Sequence, residues 1–129
     1  MKLQRHFGRI QDILYSRGEI AIEHLTIHEI VPGQEIVISG RLRFWNNSML
    51  EFVEHLVEQQ LVILKTNYAY HYQSADNRLI FRYDNAPHHP EITSHPHHKH
   101  TAAGLEATNP PHMNDVLREI DDHPYPAQP

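Results

Sequence analysis

The chain contains no cysteine. This excludes a disulfide framework and a thiolate metal site, so any bound metal ion would rest on histidine and carboxylate ligands. Long hydrophobic runs are missing as well. The first ten residues lack the continuous apolar segment of a signal peptide, and no later run is long enough to span a membrane. We therefore expect a cytoplasmic protein with no membrane partner.

A strong charge of either sign is also lacking. The formal net charge is −5 with the histidines counted as neutral, which argues weakly against nucleic acid as a partner. At pH 7, however, each of the 13 histidines is protonated about a quarter of the time, which returns about three positive charges. Residues 65–100 carry four lysine or arginine residues against three acidic ones. The chain is therefore mildly acidic, and its charge is unevenly placed.

Hydrophobic periodicity predicts a helix at each end of the chain. In residues 2–15, apolar side chains recur at alternating steps of four and three: Leu3, Phe7, Ile10 and Leu14. A second, shorter helix is expected after Pro110-Pro111, because the next apolar residues keep helical spacing: Met113, Val116, Leu117 and Ile120.

Between these helices the period changes to two residues, which is typical of strands. We predict strands near residues 20–30, 35–44, 49–57, 61–73 and 78–85, with a bulge near Glu23–His24. The segment 49–57 also fits a helix. Residues 101–109 are expected to form a linker. The order predicts an α+β fold: an N-terminal helix on an antiparallel meander of about five strands, a histidine-rich loop and a short C-terminal helix. We assign residues 1–121 to one domain and the proline-rich residues 122–129 to a disordered tail.

The fourth and fifth strands carry the first candidate site residues. Alternation puts three tyrosines of the fourth strand (Tyr68, Tyr70 and Tyr72) on one face, and Lys65, Asn67, Ala69, His71 and Gln73 on the other. A turn at Asp76-Asn77 then pairs His71 with Arg82 and Ala69 with Asp84. A turn longer by two residues shifts this pairing by two and leaves the same side chains on the same face. We therefore expect His71, Arg82 and Asp84 to share a face, with the aromatic residues packed on the N-terminal helix.

A histidine-rich segment, residues 88–100, follows directly. It holds six histidines in 13 residues: His88, His89, His95, His97, His98 and His100. A loop after a rigid strand is a common place for chemistry. Because we expect these histidines to lie in a loop outside the core, their replacement should cost little stability, usually within about 0.5 kcal/mol.

One interpretation of these residues is a metal-independent ribonuclease site. RNA cleavage by the 2′-hydroxyl needs a general base, a general acid and a cation beside the phosphate, and histidine suits both proton roles. Arg82 and Lys99 are candidates for the cation, and Asp84 for orienting a histidine. The candidate catalytic residues are His71, Arg82, Asp84, His88, His89, His98, Lys99 and His100.

The alternative from another class is a non-enzymatic module that uses the histidine-rich segment to bind a metal ion or a protein. His-x-His spacing in an extended segment puts both imidazoles on one side, and His95, His97, His98 and His100 could hold zinc or nickel. We expect no stoichiometric ion and no cofactor, because Glu91 is the only acidic residue in the loop that could orient these histidines. In a third interpretation the histidines merely solvate a loop.

Three stretches of this region form a recognisable pattern: Tyr70-His71-Tyr72-Gln73, residues 81–91 (Phe-Arg-Tyr-Asp-Asn-Ala-Pro-His-His-Pro-Glu) and Pro96-His97-His98-Lys99-His100. Together they resemble the TumE family, toxins of prokaryotic toxin–antitoxin pairs. His95 stands where we expect members of this family to carry a hydrophobic residue, so it is excluded from the site. The resemblance implies a small type II toxin with a cognate antitoxin protein as partner. It leaves the reaction and the oligomeric state open, a homo-oligomer included.

Overall fold

The structure, a computed structural model, describes residues 2–123. Seven antiparallel strands follow one another across a single sheet in chain order, and each pairs with the next. The elements are α1 (Lys2–Tyr15), β1 (Ile20–Val31), β2 (Glu35–Phe44), β3 (Met49–Gln59), β4 (Val62–Gln73), β5 (Leu79–Asp84), β6 (His98–Thr101), β7 (Gly104–Ala107) and α2 (Met113–Asp122). This confirms the predicted α+β class and its two helices.

The sheet has one covered face and one open face. Both helices contribute to a single hydrophobic core together with alternate residues of the strands, among them Tyr70, Tyr72 and Phe81. These three side chains are at most 1% exposed. The aromatic face of β4 and β5 therefore packs on the helices, as the period of two predicts. We call this the helix-covered face, and the other the open face.

The ambiguous segment 49–57 forms strand β3. It pairs with β2 on one side and with β4 on the other. Leu50, Phe52, Glu54 and Leu56 are buried on the helix-covered face, while the alternate residues Glu51, Val53 and His55 are more exposed. Pairing on both edges satisfies the backbone N–H and C=O groups of a strand here, which explains why the alternative helix does not form.

The predicted count of about five strands was too low. The segment 101–109, expected to be a linker, contributes the end of β6 and all of β7. His98, Lys99 and His100 consequently lie on a strand rather than in a loop. These strands have four residues each, and β6 is held by pairing with Phe81–Asp84 of β5. Strands this short give too few alternations for a pattern to be read from the sequence.

The register shifts at four places in the sheet, and two of these bulges bear on the predictions. One interrupts the pairing of β1 with β2 between Ile22 and His24, as predicted. The other lies where His55 pairs with Asn67 but Leu56 pairs with Lys65, which leaves Thr66 as the extra residue of β4. An inserted residue reverses the alternation beyond it. Lys65 was therefore assigned to the wrong face: its Nζ reaches the Tyr70 hydroxyl on the helix-covered face, 2.6 Å away.

Helix α2 continues through Asp122, which was assigned to the tail, and residues 124–129 of that tail lie outside the described residues. Within residues 2–123, neither helix combines the length and the apolar character needed to cross a membrane.

Candidate functional site

The candidate residues meet where β4, β5 and β6 lie side by side. Across these strands His71 pairs with Arg82 and Arg82 with His100, while in the next row Ala69 pairs with Asp84 and Asp84 with His98. The predicted register of the β4–β5 hairpin is confirmed. Because β6 continues the sheet, it adds two histidines of the histidine-rich segment to the face that carries Arg82 and Asp84.

Asp84 is the hub of this site. Its Oδ1 accepts a hydrogen bond from the Ala86 backbone N–H at 3.0 Å and lies 2.8 Å from His98 Nε2. Its Oδ2 accepts a hydrogen bond from Arg82 Nε at 3.0 Å and lies 3.9 Å from His100 Nε2. The residue is only 7% exposed. A buried carboxylate with this many donors is held in one orientation and stays paired.

His98 is fixed at both ring nitrogens. Nδ1 donates to the carbonyl oxygen of Pro96 at 2.9 Å, and Nε2 faces Asp84. The residue is 2% exposed. The expectation that it lies outside the core was wrong, because β6 pairs with β5 and β7 and places the His98 side chain against the buried Asp84. His98 is therefore buried and held in one orientation against β5.

Three imidazoles form a compact cluster at this site, which we call the imidazole cluster: His89, His98 and His100. Their ring centroids lie 5.0 Å apart for His89–His98, 5.6 Å for His89–His100 and 4.9 Å for His98–His100. Each pair of rings is close to perpendicular, at 74°, 70° and 87°. One ligand atom from each ring lies within 4.8 Å of the other two. His89 comes from the loop after β5, so two separate parts of the chain build the cluster.

His100 differs from His98 in exposure. Its side chain is 34% exposed, against 3% for His98. Burial lowers the pKa of His100, and the nearby His98, His89 and Arg82 lower it further, against the opposing effect of Asp84. His100 is therefore the member of β6 that can meet a ligand without rearrangement of the sheet.

The imidazole cluster lines a concave pocket of about 570 Å³ on the open face. Arg82, Asp84 and the exposed His88 line the same pocket. A second depression of about 660 Å³ adjoins it and is lined by His71 and Arg82, so Arg82 borders both. Arg82 Nη1 donates to His71 Nδ1 at 3.4 Å. The pocket therefore combines a guanidinium, a carboxylate and accessible imidazoles, a set of groups suited to an anionic ligand.

The structure does not bring Lys99 into this group. Lys99 points to the helix-covered face, where its Nζ donates to Glu119 Oε2 of α2 at 2.7 Å and lies 5.0 Å from the centre of the Tyr83 ring. His97 is directed away as well, with Nδ1 at 2.9 Å from the Tyr68 hydroxyl. His95 is exposed, and its Nδ1 lies 3.2 Å from the His89 carbonyl oxygen.

Sequence reasoning missed several residues that support the site. Asn85 ties the end of β5 to β4, since its Oδ1 accepts from the Tyr68 N–H at 3.0 Å and its Nδ2 donates to the Thr66 carbonyl at 2.8 Å. On the open face, Arg41 Nη2 pairs with Glu51 Oε1 at 2.6 Å, and Glu51 lies opposite His71. Arg41 and Glu51 alternate with the buried residues of β2 and β3, which places them on the open face, but their distance from the site depends on the order of the strands.

The comparisons with known proteins decide the family. A family model described as "Toxin TumE" matches residues 10–123. The chain belongs to the TumE toxin family. The match runs from α1 through the end of α2 and includes every candidate site residue, and it makes the chain a toxin of a toxin–antitoxin system, with an antitoxin as its expected partner. No curated protein and no solved structure matches the chain.

Proposed function

We propose that this TumE toxin is the toxin of a type II pair, neutralised by a cognate antitoxin protein, and that it acts on RNA as a metal-independent ribonuclease. The observation that carries the proposal is the convergence of Arg82, Asp84 and the imidazole cluster on one pocket of the open face. Such a site has the three groups that cleavage by the 2′-hydroxyl needs: two proton-transfer groups and a cation.

The residues that are accessible from the pocket are assigned the roles that require contact with the substrate. The His89 and His100 side chains are 33% and 34% exposed, and they serve as the pair that removes the 2′-hydroxyl proton and protonates the departing 5′-oxygen. Arg82 is 40% exposed at its side chain, and only two of its nitrogens are used by Asp84 and His71. A guanidinium has five N–H donors, so Arg82 retains donors for the phosphate.

The remaining residues position these groups. Asp84 and His98 are buried and set the orientation of Arg82 and of strand β6, and His71 holds the guanidinium from the β4 side. His88 lies exposed at the pocket and is placed to contact the substrate. Lys99, on the other face, takes no part in this proposal.

Expression of the chain without its antitoxin tests both levels of the proposal. Growth arrest is expected, and sequencing of cellular RNA should reveal new ends with 2′,3′-cyclic phosphates. His100→Ala should lower the cleavage rate by about a hundredfold or more, since it removes a proton-transfer group. His95→Ala is the matched control, because it replaces an exposed histidine of the same segment that lies outside the pocket.

The outcomes separate the toxin from the reaction. Arrest with intact RNA would reject the ribonuclease mechanism and retain the toxin. Equal cleavage by His100→Ala and the unaltered chain would reject the assignment of this pocket. Absence of arrest from a folded chain would contradict the toxic activity itself.

A further inference from the structure

We propose that the imidazole cluster, His89, His98 and His100, is a binding site for a transition-metal ion of the Zn²⁺ class, with Asp84 as the carboxylate beside it. The proposal concerns binding and stands without the ribonuclease. Where it concerns activity it rests on the proposed function, because an ion on these nitrogens would occupy the groups assigned to proton transfer.

The arrangement of the three rings is the first argument. Zinc binds imidazole nitrogen at about 2.0–2.1 Å in tetrahedral geometry, which places neighbouring ring centroids about 5.2 Å apart. The observed separations are 4.9, 5.0 and 5.6 Å. The three rings are also close to mutually perpendicular, and their ligand atoms converge within 4.8 Å. Histidines that merely solvate a loop have no reason to converge in this way.

The partners of the outward nitrogens are the second argument. A metal-binding histidine usually donates its other ring N–H to a backbone carbonyl or a carboxylate, which fixes the ring. His98 Nδ1 donates to the Pro96 carbonyl at 2.9 Å, and His89 Nδ1 lies 3.4 Å from Glu91 Oε1. In each ring Nε2 is therefore the nitrogen that would bind the ion, and in His98 this atom faces Asp84 Oδ1 at 2.8 Å. The sequence argued against a stoichiometric ion because Glu91 was the only group in the loop that could orient a histidine. The fold brings two further groups to these histidines, the Pro96 carbonyl and Asp84.

The carboxylate of Asp84 supplies negative charge to compensate the positive charge of the bound ion. Its two oxygens lie 2.8 Å from His98 Nε2 and 3.9 Å from His100 Nε2. Neighbouring ligand atoms around a tetrahedral zinc ion are about 3.3 Å apart, so these distances bracket the expected value. Binding displaces the proton through which His98 Nε2 faces Asp84, and that proton leaves to solvent. The ligand set differs from the four histidines that spacing alone suggested: His95 and His97 are replaced by His89.

Nitrogen ligands set the class of ion. Imidazole suits Zn²⁺, Ni²⁺, Cu²⁺ and Co²⁺, whereas Mg²⁺ requires oxygen ligands and retains its water. Mg²⁺ therefore serves as the control ion. If the proposed ribonuclease is correct, Zn²⁺ should inhibit it, because a metal-bound nitrogen can neither accept nor donate a proton.

Binding can be measured on the full-length, tag-free chain after treatment with a chelator. Titration with Zn²⁺ against a chromophoric competitor should give one ion per chain with a dissociation constant below about 1 μM. Co²⁺ should give the visible absorption of a tetrahedral complex. His100→Ala and His89→Ala should each weaken binding by at least about tenfold. His95→Ala should leave it unchanged, and Mg²⁺ should not compete.

Circular dichroism of each variant shows whether it is folded, and His89→Ala and His100→Ala avoid the buried His98. Equal losses in His95→Ala and His100→Ala would show adventitious binding by the histidine-rich segment and overturn the proposal. Absence of saturable binding, or octahedral Co²⁺ spectra, would overturn it as well. Zn²⁺ binding with no RNA cleavage by the metal-free chain would reject the ribonuclease and keep the metal site.

Discussion

Asp84 of β5 and His98 of β6 are direct partners across the sheet, and their side chains meet at 2.8 Å with both residues less than a tenth exposed. The pair connects β5, which hydrophobic periodicity predicts, with β6, which periodicity does not predict. It also orders the candidate site, because Asp84 holds Arg82 and His98 while His100 projects beside them. The pairing of β5 with β6 and the arrangement of the candidate site residues therefore depend on the same contact.

This pair should separate His98 from His100 in stability. His98→Ala leaves a buried carboxylate without one of its donors, and we expect a loss of roughly 2–4 kcal/mol in the free energy of unfolding. His100→Ala should cost less than about 1 kcal/mol, because its side chain is one-third exposed. Urea unfolding of both variants measures this difference. Equal losses would contradict the burial of His98.

Glu54 should affect the acid stability of the protein. The residue is 1% exposed on the helix-covered face, where it accepts from the Tyr70 hydroxyl at 2.5 Å and contacts His6 Nε2 at 3.0 Å. Burial acts to raise the pKa of Glu54, but His6, Lys65 and Tyr70 together lower it below the ordinary value of 4.5. The charged carboxylate therefore stabilises the fold above that value, and this contribution is lost as the pH falls through the folded pKa.

Glu54→Gln tests this linkage. The variant should be less stable than the unaltered chain at pH 7, by about 1–3 kcal/mol, because His6 and Lys65 lose their anion. Its free energy of unfolding should then fall less steeply between about pH 5 and pH 3. Glu106→Gln, at an exposed position of β7, is the matched control. Parallel pH profiles for all three chains would contradict the prediction.

Gly40 should be intolerant of a side chain. A Cβ at this position would lie 2.6 Å from Phe52 Cε1 and 3.2 Å from the His24 carbonyl oxygen. The Phe52 ring covers the glycine from the adjacent strand, and it is itself buried in the core. Gly40→Ala is therefore expected to lower the free energy of unfolding by about 1–3 kcal/mol. Combining it with Phe52→Leu should cost less than the sum of the two single changes, which a double-mutant cycle measures.

Lys99 should stabilise the docking of α2. Its Nζ bonds Glu119 Oε2 and lies over the Phe81 and Tyr83 rings. Burial lowers the pKa of Lys99, but Glu119 and Tyr83 outweigh this effect and raise it above 10.5. The charged pair therefore stabilises the fold below that pH. Lys99→Ala should cost about 1–2 kcal/mol and speed amide hydrogen exchange in α2. Unchanged exchange in α2 would contradict this role.

Some features of this protein were determined by the sequence itself. The amphipathic period predicts α1 and α2, since a helix buries one stripe of side chains. The period of two puts His71, Arg82 and Asp84 on one face for any turn that preserves parity, and the pairing of β4 with β5 confirms it. The resemblance to TumE toxins over residues 70–100 likewise agrees with the family match. Helical and strand periodicity depend on neighbours within a few residues, so the sequence alone carries them.

The tertiary structure decided what depends on distant partners. Residues 98–107 have little strand propensity, and they become β6 and β7 because β5 offers an edge for pairing. One bulge residue, Thr66, moves Lys65 to the helix-covered face, and a single-residue insertion of this kind leaves no mark in composition. His89 joins His98 and His100 only because the chain returns to β5 after a long loop. Local periodicity fixes which face a side chain takes, but long-range pairing fixes which side chains meet there.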